Sequence, residues 1–177
     1  MAQAGVLAED DRVELVDGEV TEMTPIGPAH AACVMRLTTA LVPRAGARAV
    51  ISVQNPLELG ARLEFYPDIV LLHPPAERYL NRLPQPGDVL LVVEVADTSL
   101  ESDREVKIPR YAQAGIKEVW LVDLPQGQVH VYRGQIGGHY QSYSSFGRGT
   151  DLRPEGLPSV TLAVNEILPP ETEGPHT

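Results

Sequence analysis

The sequence predicts a single α/β domain in which helices flank a mixed β-sheet. Its central stretch, Asp88–Asp123, has the pattern of a buried strand, an amphipathic helix and a second buried strand, which is the size of a β-α-β unit. The first of these strands, Val89–Val95, is an almost unbroken apolar run, typical of a strand covered on both faces. Beyond Asp123 the pattern changes to strands joined by short links, so strands of both directions are expected. A chain of 177 residues is long enough to bury a core as one domain.

Composition and charge narrow the class of protein. Hydrophobic residues make up 43% of the chain and charged residues 21%, which is ordinary for a globular domain. The one cysteine, Cys33, excludes a disulfide framework and a thiolate metal site, and is interpreted as a small core residue. With no apolar run near about 20 residues and no signal-peptide pattern, we expect a cytoplasmic protein without a membrane partner. The net charge of −10 argues against binding nucleic acid mainly by phosphate neutralisation, although a local basic patch would suffice.

The predicted domain, residues 12–168, begins with a hairpin and a helix. Residues 1–11 show no clear pattern and are interpreted as an N-terminal segment. Alternating apolar residues on either side of Asp17-Gly18 predict a β-hairpin with a two-residue turn. A helix is expected over Ala29–Val42, where Pro43 should end it.

Short strands make up much of the remaining chain. Apolar or alternating runs predict them at Val50–Val53, from Asp68 onward, and at 128–133, 139–144 and Val160–Ala163. The proline-rich residues 74–87 are predicted to form a surface loop, the most mobile internal segment. Residues 169–177 are predicted to be a disordered tail.

The central helix has two alternative starts. Thr98 with Glu101, and Ser102 with Glu105, both have the spacing of a capping box. Gly115 is placed to end the helix in a left-handed conformation.

Glu94 is the residue that first points to a function. A carboxylate inside a buried strand is costly unless it is paired, hydrogen-bonded or bound to a cation. Asp68 opens another apolar strand, and the two acids could present hard oxygen ligands to Mg²⁺, with Lys107 near an attacking water. On the pattern alone an alternative has equal weight. In it, Asp68 is a turn carboxylate, Glu94 a salt-bridged strand residue and Lys107 a solvated helix residue.

Several motifs occur in an order that resembles a known family. The segments ELVDGEV and EMTP and a histidine are followed by PDIVLL, VVEVADTSLESDREVK and AGIKEVWLVD. This order, from about Arg12 to about Arg133, resembles the Uma family of endonuclease-like proteins, within the PD-(D/E)XK superfamily. The resemblance implies a restriction-endonuclease-like fold and a Mg²⁺- or Mn²⁺-dependent site that hydrolyses DNA phosphodiester bonds.

The resemblance also implies roles for individual residues. Asp68 matches the aspartate of the PD motif and Glu94 the next acidic ligand, so both are expected to hold the metal. The superfamily motif has a lysine two residues after that acid, where this chain has Ala96. In family members of this type the lysine looks displaced onto the helix, at the place of Lys107. Pro109 predicts a kink that would re-aim this lysine.

Two further residues match the family in place. Glu14 is expected to complete the acidic cluster, with an outward-facing strand residue as an equal alternative. His30 is expected to touch substrate or water, although a capping or packing role is favoured by its position at a helix start. Asp103 is interpreted as a partner of Lys107 or of the positive helix end, and Tyr111 as a core residue.

The leading hypothesis is therefore a metal-dependent endonuclease acting on DNA. The alternative is a catalytically inactive module of the same fold that binds nucleic acid or protein, which the acidic charge and the displaced lysine favour. Exposed edge strands would also allow a homodimer.

Overall fold

The computed structural model describes residues 13–23 and 25–170, which form three β-sheets with helices packed against them. The N-terminal segment predicted over residues 1–11, and residues 171–177 of the predicted tail, lie outside the described residues. At the near end of that tail, the carbonyl oxygen of Pro169 accepts a hydrogen bond from Arg148. None of the helices in the described residues is long and apolar enough to cross a membrane.

The strands and helices below are those of the described residues. The strands are β1 Val13–Val16, β2 Glu19–Glu22, β3 Val50–Val53, β4 Leu57–Gly60, β5 Leu63–Phe65, β6 Ile69–Leu72, β7 Val89–Ala96, β8 Val119–Asp123, β9 Gln128–Ile136, β10 His139–Phe146, β11 Asp151–Leu152 and β12 Leu162–Ala163. The helices are α1 Pro28–Ala45, α2 Leu100–Ser102, α3 Ile108–Ala114 and α4 Val164–Ile167, with a π-helical turn, Asp103–Lys107, between α2 and α3. A six-stranded sheet has the order β10-β9-β8-β7-β6-β3, a four-stranded sheet has the order β2-β1-β5-β4, and β11 pairs with β12.

The β-α-β unit predicted from the sequence forms the centre of the six-stranded sheet. β7 and β8 run parallel, and Ala96 lies opposite Asp123 in their register. The other neighbouring strands of this sheet pair antiparallel, which confirms the predicted mixed sheet. Gly115 ends α3 with a φ of 89°, a left-handed conformation that glycine adopts without a steric penalty.

The two faces of the six-stranded sheet are covered by different elements. Val93 and Val95 of β7 pack on one face with Leu37 and other residues of α1. Val92 packs on the opposite face, in a cluster with residues of α3 and of the four-stranded sheet. Because side chains alternate along a strand, Glu94 lies on this second face, between the sheet and the central helix.

Pro43 does not end α1, contrary to the prediction. The helix continues to Ala45, which is fully buried, and its C-terminal cap forms between the Gly46 N–H and the Val42 carbonyl. A proline in the last turn removes a single backbone donor. The burial of Ala45 against the core helps to offset that loss.

The start of the central helix also differs from both predicted capping boxes. The residue before α2 is Ser99, whose hydroxyl donates a hydrogen bond of 2.6 Å to Oδ2 of Asp103 instead of capping the helix. The irregularity expected at Pro109 takes the form of the π-helical turn before it. Proline lacks the N–H that an α-helix would pair with the carbonyl of Glu105.

The hairpin of β4 and β5 was not predicted. Leu57, Leu59 and Phe65 point from it into the core below the four-stranded sheet. The strand expected from Asp68 begins one residue later, at Ile69 of β6.

Candidate active site

A cleft of about 480 Å³ opens between the β1–β2 hairpin, the start of α1 and the elements that follow β7. All five site residues predicted from the sequence line it, namely Glu14, His30, Asp68, Glu94 and Lys107. Glu14 lies on β1, His30 in the first turn of α1 and Asp68 directly before β6. Glu94 lies within β7, and Lys107 is the last residue of the π-helical turn. Residues that are far apart in the sequence therefore meet in one concave site.

Lys107 occupies the centre of an acidic cluster. Its Nζ lies 3.1 Å from Oε1 of Glu14, 3.4 Å from Oε1 of Glu94 and 3.9 Å from Oδ1 of Asp103. The Lys107 side chain is only 14% exposed, and its ammonium lies 5.6 Å from the centre of the Phe65 ring. Burial by itself lowers the pKa of Lys107, but attraction to Glu94, Glu14 and Asp103 outweighs it and raises the pKa above its ordinary value. Lys107 is therefore a cation at neutral pH.

Glu94 is a buried carboxyl group with an unusual proton affinity. The hydroxyl of Tyr111, itself fully buried, donates a hydrogen bond of 2.5 Å to Oε1 of Glu94. Burial raises the pKa of Glu94 to about 8, although the nearby Lys107 cation works in the opposite direction. A carboxyl group in this state binds a proton near neutral pH unless another cation takes the proton's place.

Asp68 is held by hydrogen bonds to both of its carboxylate oxygens. Its Oδ2 accepts from the backbone N–H of Val95 at 2.8 Å and lies 3.0 Å from Nε2 of His30. Its Oδ1 accepts from the side-chain amide of Gln54 at 3.1 Å. Because Val95 follows Glu94 along β7, this bonding fixes the two acids beside one another at the cleft.

His30 contacts an acid of the site. The cap of α1 is Gly27, with no side-chain cap bond, so capping is not the role of His30. Its Nδ1 is buried and has no hydrogen-bond partner among the described residues. The contact with Asp68 gives the ring an orienting role, and its contact with substrate stays a prediction.

Four residues of the site were not assigned to it from the sequence. Gln54 orients Asp68 from a turn with a φ of 52°, and no sequence pattern fixes that geometry. The backbone N–H of Tyr66 donates to Oε1 of Glu14 at 3.0 Å, which depends on strand pairing across the small sheet. Asp97 also lines the cleft. Its position directly after a buried strand was a signal that could have found it.

Tyr111 is in the core as interpreted, but its hydroxyl also belongs to the site.

The donor set fits a hard divalent cation bound by few protein ligands. Among the described residues, no group of three or more His, Cys, Asp or Glu side chains is arranged to hold a metal ion. Mg²⁺ commonly keeps several waters and binds through one or two carboxylates together with substrate phosphates, so it does not need such a cage. Asp68 and Glu94 offer those carboxylates.

The mixed sheet and the acidic, lysine-containing cleft define a protein of the restriction-endonuclease-like class. Over residues 2–165 the chain matches the Uma2 family, which is described as "Putative restriction endonuclease", and it belongs to that family. In fold it is similar to the crystal structure of a "putative nuclease belonging to DUF820" from Anabaena variabilis. The TM-score is 0.66 at 17% sequence identity, over 88% of each chain. None of the curated proteins compared with the chain matches it.

Proposed function

We propose that this protein is a Mg²⁺- or Mn²⁺-dependent endonuclease that hydrolyses DNA phosphodiester bonds. The observation that carries the proposal is the meeting of Asp68, Glu94 and Lys107 in one cleft, in a chain of this family. Two buried acids beside a buried ammonium supply both hard oxygen ligands and a fixed positive charge. Both assist the hydrolysis of a phosphodiester.

In this mechanism Asp68 and Glu94 would hold the metal ion, which would supply Lewis acidity and lower the pKa of an attacking water. Hydrogen bonds from Val95 and Gln54 orient Asp68 in advance, so little reorganisation is needed when substrate binds. The Lys107 ammonium directs the water or offsets the negative charge that develops on the phosphate. Glu14 and Asp103 hold this ammonium in place.

A second candidate function is a binding module of the same fold without turnover. The observation that favours it is the close engagement of Lys107 by three carboxylates, since an ammonium held in this way has less freedom to serve a substrate. Such a protein would bind metal or DNA without cutting it.

The test is cleavage of supercoiled plasmid in a titration of Mg²⁺ and of Mn²⁺. We expect Asp68→Asn, Glu94→Gln and Lys107→Met each to lower kcat by about 100-fold or more, because each removes a charge that acts on the transition state. Asp88→Asn is a matched control for the acids. Asp88 is equally buried and lies outside the residues that line the cleft. Lys117→Met is the control for the lysine, since Lys117 is exposed.

The outcomes separate the two functions. Loss of cleavage in the three site variants, with activity within about twofold of the wild type in both controls, supports the endonuclease. Equal cleavage by all the proteins means a contaminating nuclease. Metal-dependent retention of DNA without any cleavage supports the binding module.

A further inference from the structure

Arg104 is anchored outside the cleft, yet it belongs to the same π-helical turn as Asp103 and Lys107. The residues lining the cleft in the described chain include Asp103 and Lys107 but not Arg104. Its guanidinium instead reaches the end of β8 and the neighbouring β9. One turn of helix therefore presents Lys107 to the acids and Arg104 to a separate group of buried residues.

That separate group is a buried acid–histidine pair. Asp123 is completely buried, His130 is 2% exposed, and Oδ2 of Asp123 lies 3.2 Å from Nε2 of His130. Nη2 of Arg104 lies 2.6 Å from the same ring nitrogen and 4.0 Å from Oδ2 of Asp123. On the other side of the ring, Nδ1 lies 2.7 Å from the Ser145 hydroxyl and 3.0 Å from that of Tyr143.

The lowered pKa of His130 favours a neutral ring, which can serve as a hydrogen-bond acceptor for Arg104. Burial lowers its pKa, and the Arg104 cation adds to this effect while Asp123 opposes it. A neutral ring can accept the Arg104 hydrogen bond on Nε2 and donate from Nδ1 to Ser145. In this tautomer Nε2 has no proton for Asp123, so the Arg104 guanidinium lies between the ring nitrogen and the carboxylate as the partner of both. The positive guanidinium also stands opposite the buried Asp123 charge, which would be costly to leave unpaired.

This anchor lies next to the strand that carries Glu94. Asp123 pairs with Ala96 in the parallel register of β7 and β8, two residues beyond Glu94. The turn between α2 and α3 thus contacts two adjacent strands. Lys107 contacts Glu94 of β7, and Arg104 contacts the Asp123–His130 pair at the end of β8 and on β9. π-Helical turns are rare and isolated, so side-chain ties of this kind can decide how such a turn is held.

We propose that Arg104 is a positioning residue, which fixes the π-helical turn against the buried Asp123–His130 pair and so holds the Lys107 ammonium among its carboxylates. The effect of this positioning on catalysis rests on the proposed nuclease function. The positioning itself can be measured without any nucleic acid.

The experiment uses the fact that the sequence contains two lysines, Lys107 and Lys117. The folded protein is treated with a trace of acetic anhydride, and acetylation of each lysine is quantified by mass spectrometry. The exposed Lys117 serves as an internal reference for the buried Lys107. We expect Arg104→Met to raise the labelling of Lys107 relative to Lys117 by about tenfold, because a loosened turn exposes the amine more often.

A matched variant separates positioning from general loss of stability. Arg44→Met removes an arginine of similar exposure, 36% against 35%, which is paired with Glu166 away from the cleft. We expect it to leave the labelling ratio unchanged. Arg104→Lys keeps a cationic donor near His130 and should restore part of the protection of Lys107.

Cleavage kinetics supply the second readout. In Arg104→Met we expect kcat to fall by about tenfold with KM within about twofold, as for a misplaced catalytic group. An unchanged labelling ratio in Arg104→Met, or an equal rise in Arg44→Met, overturns the proposal. If the wild type cleaves no DNA, the proposed function fails, but the labelling ratio still decides whether Arg104 positions Lys107.

Discussion

At the scale of single residues, Gln54 combines an unfavourable backbone with a contact to the site. Its φ of 52° is in the left-handed region, which costs a residue with a Cβ about 1 kcal/mol or more. Its backbone N–H faces the carbonyls of Pro67 and Asp68, while its side chain donates to the Asp68 carboxylate. The turn that orients the Asp68 carboxylate is therefore formed at the expense of local strain.

Substitution of Gln54 separates the strain from the hydrogen bond. Gln54→Ala and Gln54→Gly both remove the amide that orients Asp68, but only glycine relieves the left-handed backbone. We expect the glycine variant to be more stable than the alanine variant by about 1 kcal/mol in urea unfolding. Both should lose metal affinity to the same extent. Equal stability of the two variants would mean that the turn is unstrained.

At the scale of elements, the β-α-β unit was predictable because its signals are local. The apolar run of β7, the apolar strand β8 and the glycine at the end of α3 are each visible in a short window. The β1–β2 hairpin was equally clear from its Asp17-Gly18 turn, where both residues have positive φ.

Other elements depend on contacts that no local pattern contains. The β4–β5 hairpin had a visible alternation of Leu57, Leu59, Leu63 and Phe65, but Pro56 and Gly60 obscured it. The π-helical turn places Arg104 and Lys107 in contact with two different strands, which the sequence does not show. The four-residue spacing of Asp103 and Lys107 predicted that they share one face of the helix, but it did not reveal the π-helical geometry.

The loop before β7 contains an ion pair whose contribution to stability should depend on pH. Arg82 donates two hydrogen bonds to Asp88, at 2.6 and 2.9 Å, and the backbone N–H of Gln85 donates a third. The hydrogen bonds from Arg82, with that from Gln85, lower the pKa of Asp88 from 3.8 to about 2. The loop predicted to be mobile is therefore pinned at its end, and none of residues 74–87 is among those lining the cleft.

Because the folded state lowers the pKa of Asp88, its ion pair stabilises the protein fully above the unfolded value of 3.8. That contribution is lost as the pH falls from about 4 towards about 2. Since the Arg82 side chain is 40% exposed, we expect a contribution of only about 1 kcal/mol. Urea unfolding of wild type and Asp88→Asn should differ by this amount at pH 5, and the difference should shrink at pH 3. A difference that stays constant with pH would contradict the assignment.

At the scale of the whole molecule, the negative charge is concentrated where the metal is proposed to bind. The described residues that line the cleft include six carboxyl residues, Glu14, Glu22, Asp68, Glu94, Asp97 and Asp103, against the permanent cations Lys107 and Arg110. Arg110 is itself paired with Asp17. An acidic cleft of this kind repels a phosphate backbone in the absence of bound cations, so the proposed function requires cations at the cleft before DNA binds.

Divalent metal should therefore stabilise the whole fold. A cation that binds only the native state at about ten times its Kd adds about 1.4 kcal/mol, or about 3 °C in Tm for a chain of this size. We expect Mg²⁺ to raise the Tm of the wild type and of Asp88→Asn, and to leave Glu94→Gln largely unshifted. NaCl at matched ionic strength is the control. An equal rise in all the proteins would indicate a general ionic effect rather than binding at the cleft.

The division into three sheets was not predictable, because it depends on pairings between distant strands. β1 joins β5 rather than the main sheet, and the six-stranded sheet ends at β10 and β3. Both edges are open among the described residues, so the homodimer stays a prediction.

The junction of β1 with β5 has a consequence for how the site is assembled. The two strands share a single paired position, Leu15 with Glu64. The hairpin that carries Glu14 is also held by a backbone hydrogen bond from Gly18 to Arg62 and by the bond from the Tyr66 N–H to Glu14. These contacts keep Glu14 3.1 Å from the Lys107 ammonium, so a substitution that weakens them should withdraw a carboxylate from it. The charge around Lys107 thus depends on how the β1–β2 hairpin is docked against the rest of the fold.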